Sequence, residues 1–269
     1  MSARVILAGC GNMGFAMLSG WLNSGRLRPA EVLVVEPNEA LRARAAGLGT
    51  AVAPDASDLE ADAAPELVIL AVKPQVILEV ARGYSRFAGA TFLSIAAGTT
   101  VASLEQVLGA GAAIVRCMPN TPAAIGKGML VSFAKPNVAP GAARFITELL
   151  SASGRVAEVK DEALLDAVTA VSGSGPAYVF HFIECLTSAA EAAGLPAEIA
   201  RLSAMQTVYG AACLAAESGT DPAELRRQVT SPNGTTAAAL GVLMGGDRLK
   251  ALVGEAVEAA RKRSVELGR

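Results

Sequence analysis

The chain has 269 residues, about half of them hydrophobic, which is enough to bury the core of one large domain or two modest ones. Acidic and basic side chains nearly balance at a net charge of −2, so nothing suggests nucleic acid or an anionic membrane surface as a partner. Four dispersed cysteines without a CxxC motif and a single histidine indicate neither a disulfide framework nor a metal site. With no signal-peptide pattern and no apolar run of about 18 residues, we expect a cytoplasmic protein.

The first part of the chain alternates strand-like and helix-like segments. From residue 4 to about 160, short β-branched runs are separated by helical patterns. These runs read RVILAG, EVLVVE, ELVILAVK, TFLSIAAG, AAIVRCMP, GMLVSF and GRVAEV. Such alternation predicts βαβ units and a mostly parallel, doubly wound sheet with helices on both faces. We therefore predict an α/β domain over residues 1–160.

The remainder of the chain, residues 161–269, is predicted to be an all-α domain. It is rich in Ala, Leu and Glu and has no strand-like run. Several of its helices are apolar around most of their circumference, and about 110 residues form too small a bundle to bury such faces within one copy. We expect a homodimer, with further assembly up to a decamer conceivable; a bundle packed only against its own α/β domain is the alternative.

The first strand runs into a Gly-rich turn that is typical of dinucleotide binding. Gly9, Gly11 and Gly14 have GxGxxG spacing between a strand and a helical run, and Glu36 ends the next strand. In such motifs the glycines allow a tight turn, close approach of the backbone to a pyrophosphate, and close packing of the helix. The acid accepts hydrogen bonds from the ribose hydroxyls. The context predicts a Rossmann-type domain; the alternative for Glu36 is a solvated side chain at a strand end.

A second polar segment, VTSPNGTTAAALGVL at 229–243, opens an Ala-rich helical run. One helix cap needs one hydroxyl, whereas Thr230, Ser231, Thr235 and Thr236 supply four. The excess suggests that a ligand is hydrogen-bonded at this turn, although a turn that only starts a helix remains an alternative.

Five stretches together resemble the pyrroline-5-carboxylate reductase family. They are AVKPQ at 71–75, SIAAGT at 94–99, RCMPNTPAAIGKGM at 116–129, VSGSGPAYVF at 171–180 and VTSPNGTTAAAL at 229–240. The chain departs from the family pattern at three places. Cys10 stands where Ala is common, and Asn233 replaces a Gly in a turn that tolerates Asn. After the second strand, where the family usually has small polar or basic residues that accept a 2′-phosphate, this chain has Glu36, Pro37 and Asn38.

The resemblance implies hydride transfer from NADH or NADPH to the C=N carbon of Δ1-pyrroline-5-carboxylate, giving L-proline. A cyclic imine can enter protonated, so the chemistry needs no strong general acid, and a helix start with free N–H groups and hydroxyls can bind the substrate carboxylate. Thr236 is expected to be the catalytic hydroxyl that contacts the ring nitrogen. Substrate contacts are expected from Ser172, Gly173, Ser174, Gly175, Ser231, Asn233, Gly234, Thr235 and Thr236.

The cofactor is expected to lie along the carboxyl edge of the sheet, where nucleotides bind in such folds. The nicotinamide half would be lined by Lys73, Pro74, Ala97 and Gly98, and its ribose or carboxamide would be held by Asn120 and Thr121. A carboxylate at Glu36 disfavours a 2′-phosphate, so NADH is favoured over NADPH. The full set of expected contacts is Gly9, Gly11, Asn12, Met13, Gly14, Glu36, Pro37, Asn38, Ala71, Val72, Lys73, Pro74, Ala97, Gly98 and Asn120.

Three other functions remain open from the residues. A related imine reductase would use the same sites. A β-hydroxyacid dehydrogenase needs a base, usually a Lys on the interdomain helix, yet no Lys occurs between Lys160 and Lys250. A lactate-type mechanism would need His181, which lies in the apolar run VFHFIEC and is expected to be a core residue. A non-catalytic NAD(P)-binding regulatory protein would need only the first site.

Overall fold

The computed structural model describes residues 3–268, and its internal contacts divide the chain into two compact units. The sheet unit extends to Ser174 and takes up the chain again from Ala260, whereas the helical unit spans Gly175–Ala259. The domain boundary near residue 160 stays a prediction. In the structure, the compact sheet unit ends about 14 residues later, at Ser174.

The sheet unit is built on eight strands in the spatial order β3-β2-β1-β4-β5-β6-β7-β8. Among the described residues every neighbouring pair is parallel except β6 and β7, which confirms a mostly parallel sheet. The strands are β1 Val5–Ala8, β2 Val32–Val35, β3 Ala51–Ala53, β4 Leu67–Leu70, β5 Thr91–Ser94, β6 Ala113–Met118, β7 Gly128–Ala134 and β8 Gly154–Glu158.

Helices cover both faces of this sheet, as the alternating pattern predicts. Successive residues of a strand point to opposite faces, and β1 accordingly sends Val5 and Leu7 into one core and Ile6 and Ala8 into the other. The helices are α1 Asn12–Asn23, α2 Glu39–Ala46, α3 Ile77–Arg82, α4 Val101–Leu108, α5 Pro140–Ser151 and α6 Leu164–Val168. Because strands buried on both faces read as continuous apolar runs, the doubly wound fold was visible in the sequence.

Helix α6 and the end of the last helix are fastened to the sheet unit by buried or half-buried polar side chains. The Glu162 carboxylate accepts hydrogen bonds from Arg116 Nη1 at 2.5 Å and from the Val101 N–H at 2.7 Å. The Ser264 hydroxyl donates to Asp166 Oδ1 at 2.6 Å. These contacts explain why residues predicted for the helical domain group with the sheet.

The helical unit contains α7 Gly175–Ala192, α8 Ala197–Ser218, α9 Pro222–Gln228, α10 Thr235–Met244 and most of α11 Arg248–Leu267. Its buried hydrophobic side chains are Ala200 and Ala204, within the part of the chain that the structure describes. Larger apolar residues such as Leu202 and Val242 are exposed by more than 60%. None of the helices between residues 3 and 268 has the length and apolar character needed to cross a membrane.

Candidate active site

The Gly-rich turn has the shape of a phosphate cradle. Gly9 adopts a φ of +91°, and a Cβ there would lie 2.7 Å from Val72 Cγ1. A Cβ on Gly14 would lie 2.5 Å from the Gly9 carbonyl oxygen, whereas one on Gly11 would meet nothing within 4 Å. The first and third glycines therefore allow close packing, and the second leaves open space in front of the α1 N-terminus for a pyrophosphate.

Glu36 is held against this turn by its own hydrogen bonds. Its Oε2 accepts from the Cys10 N–H at 2.7 Å and its Oε1 from the Asn38 N–H at 3.0 Å, and the residue is only 6% exposed. The alternative of a solvated strand-end acid is therefore wrong. Because a carboxylate has about four lone-pair sites, each oxygen retains acceptor capacity for a ribose hydroxyl.

Two arginines of α2 donate hydrogen bonds to the backbone around Glu36 and the Gly-rich turn. Arg42 Nη1 donates to the carbonyls of Glu36 and Pro37 at 2.8 and 2.9 Å. Arg44 Nη2 donates to the Cys10 carbonyl at 3.1 Å, and its guanidinium lies 3.9 Å from the centre of the Phe15 ring. Glu36 and Arg44 thus hold the peptide groups on both sides of Cys10.

The thiol of Cys10 takes no part in these contacts. It is fully buried, and burial raises its pKa to about 11, with a smaller opposing effect from Arg44. A neutral buried thiol is a weak nucleophile, so this position serves the site through its backbone.

A cavity of about 620 Å³ extends from the Gly-rich turn. Seven of the predicted cofactor residues line it: Gly9, Gly11, Glu36, Pro37, Ala71, Val72 and Lys73. Its far wall is formed by residues that the sequence analysis did not select, among them Asp55, Ser57, Tyr84 and Arg86. Hydrogen bonds from the Ser57 hydroxyl and N–H lower the pKa of the Asp55 carboxyl, so this wall carries an ionised acid.

The other predicted cofactor residues lie outside this cavity. Asn12, Met13 and Gly14 form the first turn of α1, Asn38 caps α2, and Pro74 opens the 3-10 turn after β4. Ala97 and Gly98 follow β5. Gly98 has a φ of +75°, and a Cβ there would lie 3.1 Å from Leu267 Cβ, so this glycine allows α11 to pack closely.

Asn120 also lies outside the cavity, in the turn after β6, and its amide contacts protein backbone. Nδ2 donates to the Ser172 carbonyl at 3.0 Å, and Oδ1 accepts from the Met129 N–H at 2.9 Å. The predicted contact between Asn120 and the cofactor remains a prediction.

The predicted substrate residues fall in both units. Ser172, Gly173 and Ser174 belong to the sheet unit, where Thr169–Gly173 forms a π-helical turn, a feature often found at functional sites. Gly175 and the 231–236 segment belong to the helical unit. A π turn thus lies between α6 and α7 at this point.

The start of α10 leaves several polar groups available. Asn233 adopts a φ of 57°, as expected of Asn in a glycine's place, and the Gly234 N–H closes the turn on the Ser231 carbonyl at 3.1 Å. Gly234 is the N-cap and offers no side chain. Among the described residues, the hydroxyls of Ser231, Thr235 and Thr236 make no hydrogen bond, whereas that of Thr230 donates to the Arg226 carbonyl at 2.6 Å. Three hydroxyls and the first-turn N–H groups can therefore receive an anion.

His181 is the main correction to the sequence analysis. We expected a core residue, but its side chain is 76% exposed on α7 of the single chain. Its Nδ1 lies 3.1 Å from Glu184 Oε2. The apolar neighbours misled the prediction because this helix is apolar on faces that one chain leaves uncovered.

The fold, the glycine cradle and the buried acid together define a dinucleotide-dependent oxidoreductase. Two family descriptions match the sequence: pyrroline-5-carboxylate reductase dimerisation over residues 162–267, and NADP oxidoreductase, coenzyme F420-dependent, over residues 4–98. The pyrroline-5-carboxylate reductase of Pseudomonas aeruginosa is 42% identical over 98% of this chain and 96% of its own length. The chain belongs to the pyrroline-5-carboxylate reductase family, as its motifs indicated.

Solved structures agree with this membership. A pyrroline-5-carboxylate reductase from Coxiella burnetii superposes with a TM-score of 0.92 at 34% identity, covering 100% of both chains. The Plasmodium falciparum pyrroline carboxylate reductase, solved with NADP bound, gives a TM-score of 0.85 at 27% identity, covering 99% of this chain and 98% of that one.

Proposed function

We propose that this protein reduces Δ1-pyrroline-5-carboxylate to L-proline. The observation that carries the proposal is the start of α10, where the hydroxyls of Ser231, Thr235 and Thr236 have no partner within residues 3–268. This segment also has no side chain that titrates near neutral pH. A site without a general acid suits a substrate that can arrive already protonated, as a cyclic imine does. The family names of the relatives support the same substrate.

The first-turn N–H groups of α10, with Ser231, Asn233, Gly234 and Thr235, are proposed to bind the substrate carboxylate. A helix N-terminus favours a negative charge without needing Arg or Lys, and its N–H groups supply hydrogen bonds to the two oxygens. Thr236, which is half-buried in the same turn, is proposed to exchange a hydrogen bond with the ring nitrogen. In the protonated imine the ring N–H would donate to the Thr236 hydroxyl, and this bond would orient the C=N carbon.

The Gly-rich turn fits a dinucleotide because a Cβ at Gly9 or Gly14 would collide with neighbouring atoms, while Gly11 faces open space. When bound, the reduced nicotinamide supplies the hydride that adds to the C=N carbon. The protein's own contribution is to hold the pyrophosphate at the α1 N-terminus and the adenosine ribose at Glu36.

We further propose that NADH is used at least as well as NADPH. A 2′-phosphate carries a charge of roughly −1.5 to −2, and placing it beside Glu36 would be repulsive. Turning the carboxylate away would break its hydrogen bonds to the Cys10 and Asn38 N–H groups. Arg42 and Arg44 lie in the same region and oppose this preference, although both already donate to backbone carbonyls.

The helical unit is proposed to form a homodimer, which would cover its exposed apolar side chains and complete the substrate site. Further assembly of these dimers, up to a decamer, is proposed for the same chain. The cytoplasm remains the predicted location, consistent with four cysteines that are all free.

The proposal is tested by following NADH and NADPH oxidation with Δ1-pyrroline-5-carboxylate, and NAD(P)⁺ reduction with a panel of 3-hydroxyacids. We expect turnover of the imine and none of the hydroxyacids. Oxidation of a hydroxyacid without imine reduction would identify a dehydrogenase. Dinucleotide binding without turnover of any substrate would identify a regulatory protein.

A further inference from the structure

Asn120 links two backbone segments that the sequence keeps far apart. It follows β6 in the turn Met118–Asn120, which we call the MPN turn. Its Nδ2 donates to the Ser172 carbonyl at 3.0 Å, and its Oδ1 accepts from the Met129 N–H at 2.9 Å. The amide is therefore fixed at one end by the start of β7 and uses its other end to hold the π-helical turn.

The Ser172 carbonyl has a specific need for such a donor. An α-helix would pair it with the N–H four residues later, at Pro176, which has none. The chain here forms a π turn instead, with the Ser174 N–H donating to the Thr169 carbonyl at 2.8 Å. A π turn is rare and persists where surrounding contacts favour it over the α-helical pairing.

The same two segments also pack closely at a second point. A Cβ on Gly173 would lie 2.5 Å from the terminal methyl of Met118. The backbone of Gly173 thus packs directly on the first residue of the MPN turn. Packing and hydrogen bonding both place the π turn against the carboxyl end of β6.

We propose that Asn120 is a positioning residue that sets the segment Ser172–Gly175 for the imine substrate, and that it is not a ligand of the nicotinamide. This inference rests on the proposed function, in which that segment borders the substrate. Without the amide donor, the Ser172 carbonyl loses a partner and the π turn can relax toward α-helical pairing. Such a shift would move Ser172 away from Asn120 and Gly173 away from Met118.

The test compares Asn120→Asp with Asn137→Asp as a matched control. Aspartate keeps an oxygen for the Met129 N–H but cannot donate to Ser172 when ionised. Asn137 Nδ2 also donates to backbone carbonyls, those of Gly111 at 3.0 Å and Ala112 at 3.2 Å, but at the opposite edge of the sheet. The control therefore removes comparable hydrogen bonds far from the MPN turn.

For Asn120→Asp we expect kcat/KM for the imine to fall by roughly 10-fold, as when a half-buried carbonyl loses its donor. The dissociation constant for NADH should stay within about twofold of wild type, and the peptide containing residues 169–175 should exchange its amide hydrogens faster. Asn137→Asp should change none of the three quantities. If the aspartate variant does not fold, Asn120→Ser, whose hydroxyl is too short to span both partners, takes its place.

A rise in the NADH dissociation constant that accounts for the whole loss of activity would overturn the inference and make Asn120 a cofactor ligand. Equal losses in both Asn→Asp variants would reduce it to a structural residue. Failure of the wild-type protein to reduce the imine would remove the proposed function instead, while the exchange of residues 169–175 would still report whether Asn120 holds the π turn.

Discussion

The two units of this chain differ in where their apolar residues are covered. The sheet unit buries Val, Leu, Ile and aromatic side chains in two cores, one on each face of the sheet. In the described part of the helical unit, the fully buried apolar side chains are two alanines. The sheet unit therefore covers its own apolar side chains, whereas the helical unit has the composition of a core without the burial, in agreement with its match to a dimerisation domain.

Charging the uncovered face of α8 should produce the largest effect. Leu202, Met205 and Tyr209 lie on one side of this helix and are 63%, 51% and 63% exposed in the single chain. Burying each such side chain is worth about 1.5–3 kcal/mol, and a two-fold interface counts each of them twice. We expect the double variant Leu202→Glu/Met205→Glu to be monomeric by light scattering and to lose more than about 100-fold of its activity.

The control for this variant is Ile125→Glu in the sheet unit, where an apolar side chain is 77% exposed. We expect this control to keep the oligomeric state of the wild type. An active monomer of the α8 variant at micromolar concentration would show that the helical unit is covered in some other way.

Removing the Thr236 hydroxyl at the start of α10 should have the next largest effect. Thr236→Ala should lower kcat/KM for the imine by roughly 10- to 100-fold, because a hydrogen bond to a charged partner is worth about 1.5–3 kcal/mol. Thr236→Ser should recover much of the loss, while NADH binding stays unchanged. The control Thr147→Ala removes a hydroxyl that donates within α5 at 3.0 Å and should leave the kinetics alone. Unchanged imine kinetics in Thr236→Ala would assign the ring nitrogen to another group.

Glu36 tests the sheet unit in the same way, with a smaller expected effect. In Glu36→Ser, the ratio of kcat/KM for NADPH to that for NADH should rise about 10-fold, because repulsion of a 2′-phosphate on the order of 1–4 kcal/mol per charge pair is removed. Both cofactors should also bind somewhat less tightly, since the Cys10 and Asn38 N–H groups lose their acceptor. Steady-state kinetics with each cofactor measures both effects.

The matched control is Glu39→Ser, which removes an exposed acid from the first turn of α2. It should leave the cofactor ratio unchanged. A wild type that strongly prefers NADPH, or a Glu36 variant without a change in the ratio, would mean that Glu36 does not face the bound ribose.

The sequence predicted the sheet unit well because its fold rests on local signals. Strands buried on both faces read as unbroken apolar runs, and the glycine spacing marks the cradle at Gly9 and Gly14 directly. The strand Ala51–Ala53 was missed, because an edge strand of three residues with partial exposure carries almost no pattern. The cavity wall at Asp55 and Ser57 follows that strand, so the same gap hid it.

The helical unit was harder to interpret, since many of its apolar residues are exposed in the single chain. His181 was placed in a core for this reason and is exposed instead. The contacts of Asn120 were also beyond the sequence, because a hydrogen bond across 52 positions depends on how β6 and the π turn come together. Local motifs indicated candidate site residues, but not which of them contact each other.

The smallest expected effect concerns Cys10, the family departure inside the Gly-rich turn. Glu36 and Arg44 bind the backbone on both sides of Cys10 and not its thiol, so Cys10→Ala should change kcat/KM for NADH by less than about twofold. The thiol should instead affect the free energy of unfolding at high pH. Burial raises its pKa from 9.0 to about 11, so the folded chain holds this proton longer than the unfolded chain does. The stability linked to the neutral thiol is thus fully present below about pH 9 and is lost as the pH rises toward 11. Thermal melts of the two proteins should keep a constant difference in Tm up to about pH 9, and above it the wild type should lose stability faster than Cys10→Ala. The buried Cys117 thiol is common to both proteins and cancels in the difference. A constant difference up to pH 11 would show that the Cys10 thiol ionises as freely in the folded protein as in the unfolded chain.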